Sequence, residues 1–152
     1  MNVELRHYRQ DDFWILEALE TDPDVMRHLG GPTPCEKLPK LHEKRLVAPL
    51  YFTIVAPEPA GTIGIWPSDW KGESIQEMGW MVLPAFQGRG IATAAGRRIL
   101  EHVRGATVHA FPAVSNEASN AICRKLGFTK LEETDIAYNG PPRRHVHWRI
   151  DL

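Results

Sequence analysis

Cysteine is scarce: Cys35 and Cys123 are the only two in 152 residues. That is too few for a disulfide scaffold, and two free thiols suit a reduced, cytoplasmic setting. An excess of charge of one sign is missing as well. Lys plus Arg number 18 against 19 Asp plus Glu, so no broad field draws nucleic acid or an anionic membrane. What remains is a small metabolite or a protein partner. No apolar run approaches the roughly 20 residues that cross a bilayer, and the opening MNVELRHYRQDD is too polar for a secretory leader. Internal repeats, low-complexity tracts and linkers are absent too. The length fits one domain over residues 1–152, with roughly two-thirds of the unfolded surface buried.

Val3, Leu5 and His7 alternate with Glu4, Arg6 and Tyr8, which predicts a strand with one buried face. Asp11 and Asp12 then offer carboxylates to cap a helix with Phe13, Ile15, Leu16 and Leu19 on a core-facing stripe. Thr21-Asp22-Pro23 is a second start signal, and Gly30-Gly31-Pro32 ends that short helix. Residues 35–47 read as a further helix, weakened by Pro39. From Tyr51 the pattern changes. YFTIV and GTIGIW, joined by APEPA, predict a hairpin of β-branched and aromatic strands, and PSDWKGES reads as a loop. Ile75 to Leu83 is apolar on both faces, as a central strand would be. Further elements are a helix from about Ile91 to Val103, a buried strand at Thr107 to Phe111, and a helix in SNEASNAICRKLGF closed by Gly127 with Phe128 folded back on it. Strands at Phe128 to Glu133 and His145 to Leu152 flank the turn cluster YNGPP. One α/β (α+β) domain with a mixed sheet is expected.

The segment QGRGIA, residues 87–92, stands between the central strand and a helix. Glycines there let a ligand approach the backbone, and unpaired N–H groups meet the positive end of the helix dipole. This predicts an anion site for a phosphate or pyrophosphate. A P-loop is excluded, because no Gly-Lys-Ser/Thr follows. A dinucleotide fingerprint fits badly, since Thr93 stands where a third small residue belongs and no acidic residue lies near His109 to Ala113.

Gln87-x-x-Gly90-x-Ala92, set between EMGWMV and a small-residue helix and followed by NEASNAICRKLGF, resembles the GNAT acetyltransferases, most closely the RimJ/RimL type. The likeness covers about residues 75–128, with weaker support in DPDVMRHLGG and GTIGI. It implies the GNAT fold: a central, mostly antiparallel sheet of about six to seven strands flanked by helices, with strands 4 and 5 splayed apart. It also implies acetyl-CoA as co-substrate and a primary amine, on a protein N-terminus or a small molecule, as acceptor. By that resemblance Gln87, Gly88, Arg89, Gly90, Ile91, Ala92 and Thr93 cradle the pyrophosphate. The backbone of Met81, Val82 and Leu83 pairs with the pantetheine arm, and an N–H near Val82 or Leu83 stabilises the oxyanion. Asn116 and Asn120 contact pantetheine amides or nearby backbone.

Proton handling narrows the side chains. Glu77 is the expected base: a carboxylate inside an apolar strand is desolvated, which raises its pKa, and RimL-like enzymes have a glutamate at this place. Two residues compete as donor to the departing thiolate. Ser119 matches the serine of RimL-like enzymes. Cys123 stands where many other members carry an acid tyrosine, although a buried Cys is more often a small hydrophobe. Direct attack in a ternary complex is simpler than a covalent route through Cys123. His145 and His147 share a strand face, but no third ligand accompanies them, so no metal site is expected and they are assigned to the sheet surface. The five tryptophans are assigned mostly to the core, except Trp70, which with HLGGPTP is expected to border the acceptor pocket. The rival reading is a catalytically silent CoA-binding module. A homodimer is the commonest closed assembly.

Overall fold

The computed structural model describes residues 2–152. One sheet of seven strands runs in the order β1-β2-β3-β4-β5-β7-β6. The strands are β1 (Glu4–His7), β2 (Tyr51–Val55), β3 (Pro59–Trp70), β4 (Glu73–Val82), β5 (Thr107–Ala110), β6 (Thr129–Ile136) and β7 (Arg143–Asp151). Every neighbouring pair is antiparallel except β4–β5, which is parallel. The helices are α1 (Phe13–Glu20), α2 (Pro23–Met26), α3 (Leu38–Val47), α4 (Ile91–Leu100) and α5 (Glu117–Leu126). This is the mixed sheet with flanking helices that the sequence predicts. No helix among the described residues is long and apolar enough to cross a membrane.

Strand alternation separates the two faces. Phe52 opposes Ile63, and Ile65 opposes Met78, and all four pack with Ile91, Ala95 and Ile99 of α4 and Cys123 of α5 in the main core. Their neighbours Tyr51 and Trp66 point to the other face and pack with Tyr8 and Leu16 under α1 and α3. Each fully buried Ile or Leu of these clusters contributes about 1.5–3 kcal/mol through area removed from water.

PSDWKGES is not a loop. β3 and β4 continue as a hairpin whose two-residue turn is Lys71-Gly72, with Trp70 opposite Glu73. Both turn residues have positive φ, 50° and 81°, the conformation that matches a hairpin's twist. Pro67 is tolerated because β2 pairs with β3 only as far as Gly64. Ile65 gives its N–H to Leu50 O, so by alternation the missing N–H of Pro67 faces the same unoccupied edge. Pro39 likewise sits in the first turn of α3 rather than weakening its middle.

Asp12 also departs from expectation, since its side chain does not cap α1 and closes instead a capping box with Arg9 at the 3₁₀ turn, Gln10–Asp12, that precedes it. Its buried carboxylate accepts from both Arg6 Nη atoms at 3.0 and 3.1 Å, from Arg9 N–H at 3.0 Å and from Thr53 Oγ1 at 2.9 Å. One carboxylate thus ties β1 and β2 to the entry of α1. Burial works to raise its pKa, but the hydrogen bonds from Arg6, Arg9 and Thr53 outweigh burial and hold it below the ordinary value. A depressed native pKa stabilises the fold above the unfolded value of about 4 and loses that contribution as pH falls through the native one. Asp12→Asn is therefore expected to cost about 2–3 kcal/mol at pH 7, somewhat less than breaking a fully buried pair. In urea titrations the wild type should converge on the variant below pH 4; a gap that persists unchanged there contradicts this account.

Candidate active site

β4 and β5 meet at only two residue pairs, Gln76 with Val108 and Glu77 with His109. Beyond Glu77 they part. Leu83 donates its N–H to Ala60 O at 2.8 Å, so by strand alternation Leu83 and Met81 turn their amides to β3, whereas Trp80 and Val82 turn theirs into the gap. Val82 O accepts from Gln87 Nε2 at 2.9 Å, which leaves the Val82 N–H as the amide facing the opening. Leu83, one of two expected oxyanion donors, is committed to the sheet.

Past Val82 the chain makes a short 3₁₀ turn and then the QGRGIA loop. Gly88 and Gly90 have φ of 75° and 76°, a region glycine enters at no steric cost. Gly90 is the N-cap of α4 and offers no side chain to its amides, and the first intrahelical bond there runs from Ala94 N–H to Gly90 O. The amides of the first turn thus keep their hydrogen-bonding capacity for an anion, which the helix dipole favours. Arg89 is exposed, with its guanidinium 5.5 Å from the Phe86 ring, and does not line the groove.

The parted strands open a groove of about 530 Å³ that runs from this loop to the α2–α3 face of the sheet. It brings together Glu77, Met81, Val82, Gln87, Gly88, Gly90, Ile91, Ala92, Thr93, Asn116 and Ser119. Burial pushes the Glu77 carboxyl above its ordinary range, against a Ser68 hydrogen bond and the nearby His145 that pull it down. Asn116 caps α5 by accepting from Ser119 N–H at 3.1 Å. Ser119 Oγ accepts from Trp80 Nε1 at 3.3 Å, which orients the hydroxyl beside the parted edge and leaves its proton free to donate.

Besides Leu83 and Arg89, three further expected site residues lie outside the groove. Cys123 is fully buried in the main core, away from the groove, and burial pushes its thiol up to about 12. Asn120 donates to Ala113 O and Asn116 O and accepts from Trp148 Nε1 at 2.8 Å, so its side chain holds α5 to β7 rather than facing a ligand. Trp70 packs on Phe111 and His147, ring centroids 4.9 and 5.5 Å away, and misses the groove. His145 and His147 are not surface residues, being 2% and 4% exposed. His147 meets His109 at 2.7 Å and Glu132 at 2.9 Å; among the described residues no set of three or more ligand side chains is placed to hold a metal. Trp14, assigned to the core, is half exposed.

The end of the groove away from the QGRGIA loop was largely invisible in the sequence. His28 and Leu29 line it as expected, and Arg45, Tyr51, Trp66 and Tyr138 join them. His28 Nδ1 lies 2.8 Å from Ser115 Oγ, linking the loop after α2 to the one before α5 across the opening. Asn139, in the β6–β7 turn, donates its N–H to Leu29 O at 2.9 Å and its side-chain amide to Gly31 O and Thr33 Oγ1. YNGPP looks like an ordinary turn cluster, and nothing local announces that it walls a pocket.

A parted sheet with an amide-lined loop at a helix N-terminus defines the class. The model of the acetyltransferase (GNAT) domain matches residues 2–129, and the protein belongs to that family. Solved structures share its fold at low sequence identity. An acetyltransferase of the GNAT family from Bacillus anthracis superposes with a TM-score of 0.80 at 19% identity, covering 99% of this chain and 95% of its own. Spermidine N-acetyltransferase from Vibrio cholerae, solved with CoA and spermine, gives 0.78 at 17% identity, over 98% and 95%. A Salmonella typhimurium acetyl transferase that modifies the N-terminal serine of a 50S ribosomal subunit protein gives 0.75 at 19% identity, over 100% and 96%.

Proposed function

We propose that this protein is an N-acetyltransferase of the RimJ/RimL-like type that passes the acetyl group of acetyl-CoA directly to a primary amine in a ternary complex. The observation that carries the reading is the parting of β4 from β5 beside the QGRGIA loop, because it supplies a diphosphate cradle and a free strand edge in register with each other. The loop amides hold the pyrophosphate, and the edge at Trp80 and Val82 aligns the pantetheine arm. Glu77 takes the proton of the ammonium group, directly or through water, so that the nitrogen lone pair can attack the thioester carbon. The Val82 N–H stabilises the oxygen as charge develops on it. As the carbon–sulfur bond breaks, Ser119 Oγ–H gives its proton to the departing sulfur and takes up the second proton that the nitrogen sheds as the amide forms. An exposed Cys35 and a buried Cys123, both free, fit a cytoplasmic setting.

The test is thiol release from acetyl-CoA over a panel of amines, amino acids and N-terminal peptides. Turnover on any of these supports the proposal; tight acetyl-CoA binding with no turnover on any supports the silent module instead. Within an active enzyme, Ser119→Ala is expected to lower kcat about tenfold, whereas Cys123→Ala should change it less than about threefold once the variant's stability is matched. A collapse of turnover in Cys123→Ala alone would transfer the donor role to the thiol.

A further inference from the structure

Arg27, Arg45 and Lys125 line the groove and have no part in the chemistry above; Arg27 and Lys125 are exposed, whereas Arg45 is half-buried. Arg45 comes from the last turn of α3 and lines the acceptor end. Its guanidinium carbon lies 4.4 Å from the Tyr51 ring centroid and 5.5 Å from that of Trp66, and its Nε is buried without a hydrogen-bond partner. Among the described residues no carboxylate comes within 4.0 Å of it; the lysines and arginines that do form ion pairs are Arg6, Lys71, Arg144 and Arg149. Glu20 feels the charge of Arg45 but makes no ion pair with it, and its Oε1 accepts from Thr33 Oγ1 at 2.7 Å and Tyr138 OH at 3.4 Å. Stacking on two rings offsets only part of the cost of taking this half-buried guanidinium partly out of water. Arginine's planar fork suits a carboxylate.

Its placement relative to Glu77 gives this cation a role. Trp66 is the cross-strand partner of Glu77. The indole lies against Gly79, two residues on, where a Cβ would come within 2.6 Å of the ring. Trp66 thus stands opposite Glu77 on the neighbouring strand and carries the Arg45 guanidinium against its ring. Glu77, Trp66 and Arg45 line one groove, so a ligand held in it has both a base and a cation to meet.

We propose that Arg45 is the subsite for a carboxylate carried by the acceptor, so that the preferred substrates are free amino acids rather than polyamines. The inference rests on the acyl-transfer reading with Glu77 at the amine. A polyamine would set a second ammonium against Arg45. A free amino acid presents both groups in one small molecule, and acidic peptides are tested against it.

The experiment compares kcat/KM for α-amino acids and a length series of ω-amino acids, each against its carboxamide, with spermidine and acidic N-terminal peptides as further arms. The best acid should exceed its amide at least tenfold. Arg45→Met should bring the ratio close to one by lowering the acid alone, and Arg45→Lys should retain part of it, in variants shown by thermal melting to be folded. A wild-type ratio near one overturns the proposal, as does a preference for spermidine or peptides, or an Arg45→Met variant that lowers acid and amide alike. Calorimetry of N-acetyl amino acids binding to the CoA-loaded protein decides the same point if no acceptor is turned over. A loss of at least tenfold in Arg45→Met supports the subsite even though the enzyme reading has failed, and an unchanged affinity sinks it.

Discussion

Glu77→Gln is expected to lower kcat by about 10²-fold, the low end of what losing a general base costs, while acetyl-CoA affinity stays within about twofold. Glutamine keeps the shape of the side chain and its neighbours Trp66 and Ser68, so the strand and the loop at residues 87–93 have no reason to move. What goes is a carboxyl shifted upward beside the parted strand edge, the only such group lining the groove among the described residues. The pH profile separates chemistry from structure. In the wild type, kcat/KM should rise through a pKa above the ordinary carboxylate value, because only the ionised form accepts a proton. The variant should lose that acidic limb and follow the amine's own ionisation. If the limb survives, or if acetyl-CoA binding falls as far as turnover, Glu77 is a structural residue and the base lies elsewhere.

A comparable loss is expected from a residue that touches no reacting atom. Gly30 has φ of 96°, and a Cβ placed on it would overlap the backbone carbonyl of Asn139. Gly30→Ala therefore meets two penalties: about 1–2 kcal/mol for a side chain in the left-handed region, and displacement of the β6–β7 turn. Asn139's bonds to Leu29, Gly31 and Thr33 would go with that turn, each worth about 1 kcal/mol. The total is about 4–5 kcal/mol of stability, measurable by urea unfolding. The functional readout is more specific. Leu29 and Tyr138 wall the acceptor end, so kcat/KM for the amine should fall at least tenfold while the acetyl-CoA dissociation constant barely moves. Equal losses for both substrates would show that the turn supports the whole fold instead of one end of the groove.

The contrast between Glu77 and Gly30 shows which features local sequence announces. Alternation in YFTIV and GTIGIW, the glycines of QGRGIA and the Gly127 C-cap act within a few residues of themselves, so pattern and turn chemistry reveal them. The C-cap is observed as read: Gly127 has φ of 93° and Phe128 N–H returns to Cys123 O at 3.0 Å. Pro67 misled because its acceptability depends on where another strand stops. Asp12 resembles a helix cap in sequence, yet Arg6 and Thr53 claim its oxygens. His145 and His147 look like surface residues until His109 and Glu132 arrive from other strands. Arg45, Tyr138 and Asn139 reach the groove only through tertiary contacts, and Tyr138 meets Glu20 across 118 positions of chain. Most of the loop end of the cleft is built by one continuous segment, from β4 through α4, and was therefore legible; the other end is assembled from strands, loops and helices far apart in sequence.

Two residue pairs are all that stitch β4 to β5, while α4 and α5 close against each other on one face through Gly96, whose missing side chain makes room for Leu126. The two halves of the sheet each keep a complete ladder of their own. Drift in the loops at the mouth can then exchange one amine for another without taxing either half, and a scaffold made this way is evolvable at its lip and conservative at its root.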